Sequence, residues 1–114
     1  MGKVSEICGG AFIVLKNEYG IKEIIMYPKV ICYCPLGNDW YSNSFEVYMK
    51  VNQTIPDYCE IEKWLDKNIR GKSLIIEDAI ERFYKYLSET YSPIAIEVSS
   101  YVEDAKHFPV RIKR

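Results

Sequence analysis

Between residues 43 and 51 the side chains alternate without a break. Asn43, Phe45, Val47, Met49 and Val51 fall on one face, and Ser44, Glu46, Tyr48 and Lys50 on the other. A period of two marks a strand with one buried face. Directly afterwards the apolar spacing becomes helical and stays so to Tyr91. A half-apolar strand followed by two amphipathic helices buries itself by laying the helices on its apolar face. This switch of period sets the fold class as α+β.

The remaining elements follow from local signals. Asp57-Tyr58-Cys59-Glu60 resembles a capping box, ahead of a stripe of Ile61, Trp64, Leu65 and Ile69 that Gly71 stops. Ser73 is placed to cap a second helix, whose stripe is Ile76, Ala79, Ile80, Phe83, Tyr84, Leu87 and Tyr91 and whose end is set by Pro93. Apolar runs at 11–15 and 21–27 flank the turn signal Asn17-Glu18-Tyr19-Gly20 and read as a hairpin. Residues 30–34 continue as a strand beyond Pro28. Ile94, Ile96, Val98 and Val102 form a further strand, which Glu103-Asp104-Ala105-Lys106 turns back into Phe108, Val110 and Ile112. The expected order is β-β-α-α-β-β, an antiparallel sheet with two antiparallel helices on one face. Open edges on such a sheet favour association with further copies.

At 114 residues, 1–114 reads as a single domain. A content of 48% hydrophobic and 27% charged residues excludes a disordered chain. No apolar run approaches the ~18 residues of a membrane span. The start of the chain lacks the pattern of a signal peptide, which leads to an expectation of the cytoplasm. A net charge of −1 excludes a polycation, although Lys106, His107, Arg111, Lys113 and Arg114 make the C-terminal segment basic. That segment suits a phosphate backbone, but its ordinary reading is a solvated terminus, and His107 reads as a surface residue.

Four residues stand where chemistry is feasible. Cys34 ends a strand at Cys34-Pro35-Leu36-Gly37, where proline and glycine turn the chain and a side chain is presented from a rigid element. Its ordinary reading is a buried, inert thiol, and Cys32 shares its sheet face two residues earlier. Asp39 and Asn43 follow close by; a carboxylate beside a thiol can shuttle protons, whereas Gly37-Asn38-Asp39 is also ordinary turn chemistry. Glu77 falls beside Tyr84 at the rim of the second helix's stripe, where it can point at a ligand or simply complement the helix dipole.

Taken together, Cys34-Pro35, the loop after it, Asn43-Ser44-Phe45-Glu46-Val47, Ile61-Glu62, Arg70-Gly71 and Glu77 resemble the tunnelling-fold (T-fold) enzymes of 7-cyano-7-deazaguanine. The pattern is most similar to the archaeal QueF-like family, over roughly residues 30–102. Two positions depart from it. Asn43 stands where the family has an aspartate, which leaves Asp39 or Asn43 for that place, and Ile76 replaces a histidine before Glu77.

The resemblance implies a Cys34 thiolate that adds to the nitrile carbon as a covalent thioimide, with the acid moving protons and Glu77 accepting hydrogen bonds from the base. Ser44, Phe45 and Glu62 come with it as substrate-binding residues. It further implies no cofactor and a homo-oligomer whose sites lie between subunits. The substrate is 7-cyano-7-deazaguanine, free or carried in tRNA, and ammonia or another nitrogen donor completes a formamidine. The bacterial relatives reduce the thioimide with NADPH instead, using a motif that Glu62-Lys63-Trp64-Leu65-Asp66-Lys67 does not reproduce. Two other readings stand beside this one. In one, Cys8, Cys32, Cys34 and Cys59 hold a metal or form a disulfide. In the other, the chain is a binding module without chemistry.

Overall fold

The computed structural model describes residues 15–114. The expected first strand lies mostly outside them, and Cys8 lies wholly outside. Its described end, β1 (Leu15–Lys16), does not form the expected hairpin. It pairs with β5 (Thr54–Ile55) instead. Asn17 explains the difference. Its Nδ2 donates to the Ile21 carbonyl at 2.8 Å and to the Asn52 carbonyl at 2.9 Å, so the turn is fastened to the segment after the long strand. Gly20 makes the bend in the left-handed region, φ +70°.

The main sheet is built around β4 (Asp39–Lys50), which begins earlier than its alternation suggests. On one side β4 pairs antiparallel with β2 (Glu23–Met26) and β3 (Lys29–Cys34), and the two share one register, Met26 opposite Val47 and Lys29 opposite Ser44. They are a single long strand interrupted at Tyr27-Pro28. Proline is tolerated there because the strand lies at the sheet's edge. On its other side β4 pairs with β6 (Ala95–Val102), which pairs with β7 (Val110–Lys113). Among the described residues there are seven strands and two helices, with both helices between β5 and β6.

Two helices cover one face. Helix α1 (Tyr58–Asn68) is capped as expected, with Asp57 Oδ1 accepting from the amides of Cys59 at 3.0 Å and Glu60 at 3.2 Å. Helix α2 (Ile76–Tyr91) is not capped by Ser73; Ile75 occupies the N-cap and supplies no side-chain bond. Residues 71–74 run instead along the free edge of β3. Gly71 N–H donates to the Ile31 carbonyl, Tyr33 N–H to Lys72, and Leu74 N–H to Tyr33, at 2.8–3.0 Å. Backbone pairing holds Ser73 in an extended bridge with Tyr33, which rules out a cap.

The core lies between sheet and helices. Phe45, Val47, Met49 and Val98 meet Leu65, Phe83 and Leu87, all at most 2% exposed. Phe45 packs on Phe83 with ring centroids 5.0 Å apart, and Trp64 stacks on Tyr86 at 4.2 Å, joining the helices to each other. Among the described residues nothing covers the sheet's other face, where Ile25, Ile31 and Trp40 are about half exposed. Among the described residues no helix is long and apolar enough to cross a membrane.

Candidate active site

The hairpin between β3 and β4 turns through residues 35–38. The Asn38 amide donates to the Cys34 carbonyl at 2.8 Å. Asn38, rather than Gly37, takes the left-handed conformation, φ 55°. A Cβ on Gly37 would lie 3.8 Å from Cys34 Sγ, an ordinary contact, so sterics do not demand glycine there. The glycine contributes its amide, which donates to Cys34 Sγ at 3.3 Å and holds the sulfur against the turn.

The register of this hairpin sets Cys34 directly opposite Asp39. Such cross-strand pairs share a face, with Cβ atoms about 4.5–5.5 Å apart. That face looks into a cavity of ≈ 400 Å³ at one end of the sheet. The hairpin supplies Cys34, Leu36, Asp39, Trp40 and Tyr41; α2 and its N-cap supply Ile75, Ile76 and Glu77; the β6–β7 segment supplies Ala105, Lys106 and His107. The walls are chiefly apolar and aromatic, with polar groups at a few points, which suits a flat heteroaromatic ring.

Tyr41 fastens the cavity floor to the helix. Its hydroxyl donates to the Leu74 carbonyl, one residue before the α2 N-cap, so Glu77 is fixed relative to β4. Burial raises the Tyr41 pKa above its ordinary value, and the nearby Cys32, Cys34 and Glu77 raise it further. The phenol therefore stays neutral and serves as a strut. Glu77 itself is exposed in the single chain.

The two sheet cysteines differ sharply. Cys32 is 0% exposed and its thiol donates to the Ile69 carbonyl at 3.5 Å. Burial pushes that thiol up, against smaller opposing effects of hydrogen bonds with Tyr41 and Asn43. Such a group is a poor nucleophile. Cys34 lies at the cavity wall and is half-buried.

The remaining candidates do not line this cavity. Asn43 is 0% exposed and faces the core, its Oδ1 accepting from the Ser100 hydroxyl. Its amide nitrogen is buried without a partner among the described residues. Phe45 is in the core against Phe83, because alternation points it inward. Ser44, one residue away, is on the opposite face. Glu62 is on α1, where its carboxylate takes Arg70 Nη2 at 2.7 Å beside a separate groove along β2. Arg70 also donates to the Lys29 carbonyl at 2.8 Å and pairs with Asp66 at 2.8 Å, fastening the end of α1 to β3. Within one chain, Cys34, Asp39 and Glu77 share a site from which Asn43, Ser44, Phe45 and Glu62 are absent.

The metal reading needs Cys8, which lies outside the described residues. Cys59 is exposed in the first turn of α1 while Cys32 is sealed in the core. Among the described residues no group of three or more histidine, cysteine or acidic side chains is placed to hold a metal.

The basic C-terminal segment is neither frayed nor free. Arg114 pairs with Glu81 at 2.6 Å and lies over the Tyr84 ring at 4.3 Å; Lys113 pairs with Glu97 at 3.6 Å. Arg111 lies over Tyr101 at 5.0 Å. His107 is exposed, as its surface reading has it, and with Lys106 it also lines the cavity. The signal was in the strand pairing. With Ser44 opposite Tyr101, the chain beyond β6 must run beside the start of β4, where Asp39 is.

No protein-family model matches this chain, and no curated protein matches it. Among solved structures, that of the archaeosine synthase QueF-Like in the apo form shares the fold. Its TM-score is 0.73 at 13% sequence identity, over 83% of this chain and 93% of that one. At such identity the likeness is one of architecture.

Proposed function

We propose that this chain is a tRNA-modifying amidinotransferase. It would convert the nitrile of 7-cyano-7-deazaguanine in tRNA to the formamidine of archaeosine. The observation that carries the reading is the in-register pair of Cys34 and Asp39 on the wall of a mostly apolar cavity that Glu77 also lines. The fold shared with an archaeosine synthase supports it.

The chemistry balances without an oxidant or reductant. Asp39 takes the Cys34 thiol proton as Sγ bonds to the nitrile carbon. The electron pair of one C–N π bond moves to nitrogen, which receives that proton from Asp39. The product is a thioimide, an activated electrophile made from an unreactive nitrile. Ammonia then adds to the same carbon, the C–S bond breaks, and the sulfur leaves with the bonding pair and regains a proton. Across both steps the nitrile gains one ammonia.

Leu36 and Ile76 supply apolar wall for the ring, and Glu77 accepts hydrogen bonds from its polar edge. A second copy packed over the mouth of the cavity would remove Glu77 from water, completing the site between subunits. Glu77→Gln keeps the shape and loses the charge. A hydrogen bond to a charged group is worth ~1.5–3 kcal/mol, so affinity for the free base should fall by about one to two orders of magnitude. Calorimetric titration measures this, with thermal melts to check folding. Equal affinity would leave Glu77 as a helix-dipole partner, worth less than ~1 kcal/mol of stability.

The activity is tested on tRNA carrying the nitrile base, incubated with ammonium or with NADPH. Ammonium should add the mass of one ammonia to the modified nucleoside. NADPH absorbance should not fall at a rate that depends on both protein and base. Both Glu62 and Asp66, within the segment where the reductase motif would stand, are bound to Arg70. Base-dependent NADPH oxidation would identify a reductase instead.

A further inference from the structure

The two half-reactions make opposite demands on protons. Thioimide formation moves a proton from sulfur to nitrogen, and Asp39 opposite Cys34 can do this alone. Discharge by ammonia needs a group that removes a proton from the attacking nitrogen and returns one to the departing sulfur. We infer that His107 is this second proton carrier, the base of the nitrogen-transfer step, an assignment that rests on the amidine-forming reading above.

Three observations place it there. His107 lines the same cavity as Cys34, from a segment separate from both α2 and the hairpin. Its segment is fastened in position, because Asp104 Oδ1 accepts from the Ser42 amide of β4 at 2.9 Å. That bond holds the Asp104 carboxyl below its usual pKa range, so the anchor stays ionised and intact at neutral pH. Third, His107 Nδ1 lies 2.6 Å from the Phe108 carbonyl. A carbonyl can only accept, so Nδ1 carries the ring proton and Nε2 of the neutral imidazole keeps its lone pair. The ring also meets the Phe108 ring edge-on, with centroids 5.8 Å apart.

In the step itself, ammonia nitrogen bonds to the thioimide carbon and Nε2 takes one of its protons. The C–S bond breaks with its electron pair on sulfur. The imidazolium then returns the proton to the Cys34 thiolate, restoring both groups. Lys106, beside it in the wall, keeps positive charge near the departing sulfur.

The test separates the half-reactions. Wild type and His107→Ala are incubated with 7-cyano-7-deazaguanine until the covalent adduct forms, freed of excess base, and then given ammonium. Intact-mass spectrometry follows both stages. His107→Ala should form the adduct at the wild-type rate and discharge it about 10²–10⁴-fold more slowly, the usual worth of a positioned base. Free imidazole should restore part of the lost rate, since the residue is exposed. Equal discharge rates in the two proteins would overturn the assignment and leave the amidine-forming reading intact. Equal slowing of both stages, without imidazole rescue, would make His107 a structural residue. Absence of an adduct in the wild type would remove the underlying reading and this inference with it.

Discussion

Asp39→Asn is expected to slow thioimide formation by about 10²–10⁴-fold, the typical contribution of a general acid-base group. The substitution is conservative for the fold. Asp39 Oδ1 accepts from the Trp40 amide at 2.8 Å, and an asparagine oxygen can accept the same bond. The carboxylate's ability to take the thiol proton and hand it to the nitrile nitrogen is what disappears. Asn43→Ala provides the contrast, because Asn43 is sealed in the core and hydrogen-bonded to Ser100. Its removal should lower stability by about 1–3 kcal/mol through the stranded Ser100 hydroxyl, with an adduct rate close to that of the wild type. Time courses of adduct mass, run beside denaturant melts, separate the two effects. If Asp39→Asn loses less than about tenfold, Asp39 is a turn residue and another group moves the proton.

The parts of this fold that were legible in the chain are those fixed by side-chain period and local caps. The alternation through Phe45, Val47 and Met49 puts all three in the core. Asp57 caps its helix, and Ala79, Ile80, Phe83, Leu87 and Tyr91 are buried as their spacing requires. What failed depends on long-range backbone pairing. Asn17 is ordinary turn chemistry until Asn52 arrives to accept its second donor, and that contact redirects β1 to β5. Ser73 is a reasonable cap until the edge of β3 claims its backbone.

The site shows the same division. Cys34 and Asp39 flank a turn, so their proximity is local and readable. Glu77 reaches them only because residues 71–74 pair along β3 and Tyr41 ties Leu74 to β4. Similarity of sequence segments brought Ser44, Phe45 and Glu62 into the same list, but segment similarity ignores which way a side chain points. The two strand residues point to opposite faces, and Glu62 is held by Arg70 at another groove. His107 is solvated, as a histidine in a basic terminal segment suggests, but that it also lines the cavity follows only from the strand register that carries its segment back to β4.

The central claim is that Cys34 is a nucleophile toward a nitrile, and loss of that thiol should abolish the chemistry outright. Among the described residues the other two thiols are poorly placed to substitute. Cys32 is sealed and pushed toward its neutral form by burial, and Cys59 is out on α1, away from the cavity. Serine would leave a weak nucleophile, so alanine is the cleaner replacement. Intact-mass spectrometry after incubation with 7-cyano-7-deazaguanine measures the claim directly. Wild type, Cys59→Ala and Cys8→Ala should each gain one ligand mass per chain, and Cys34→Ala should gain none. An adduct that persists in Cys34→Ala would contradict the account.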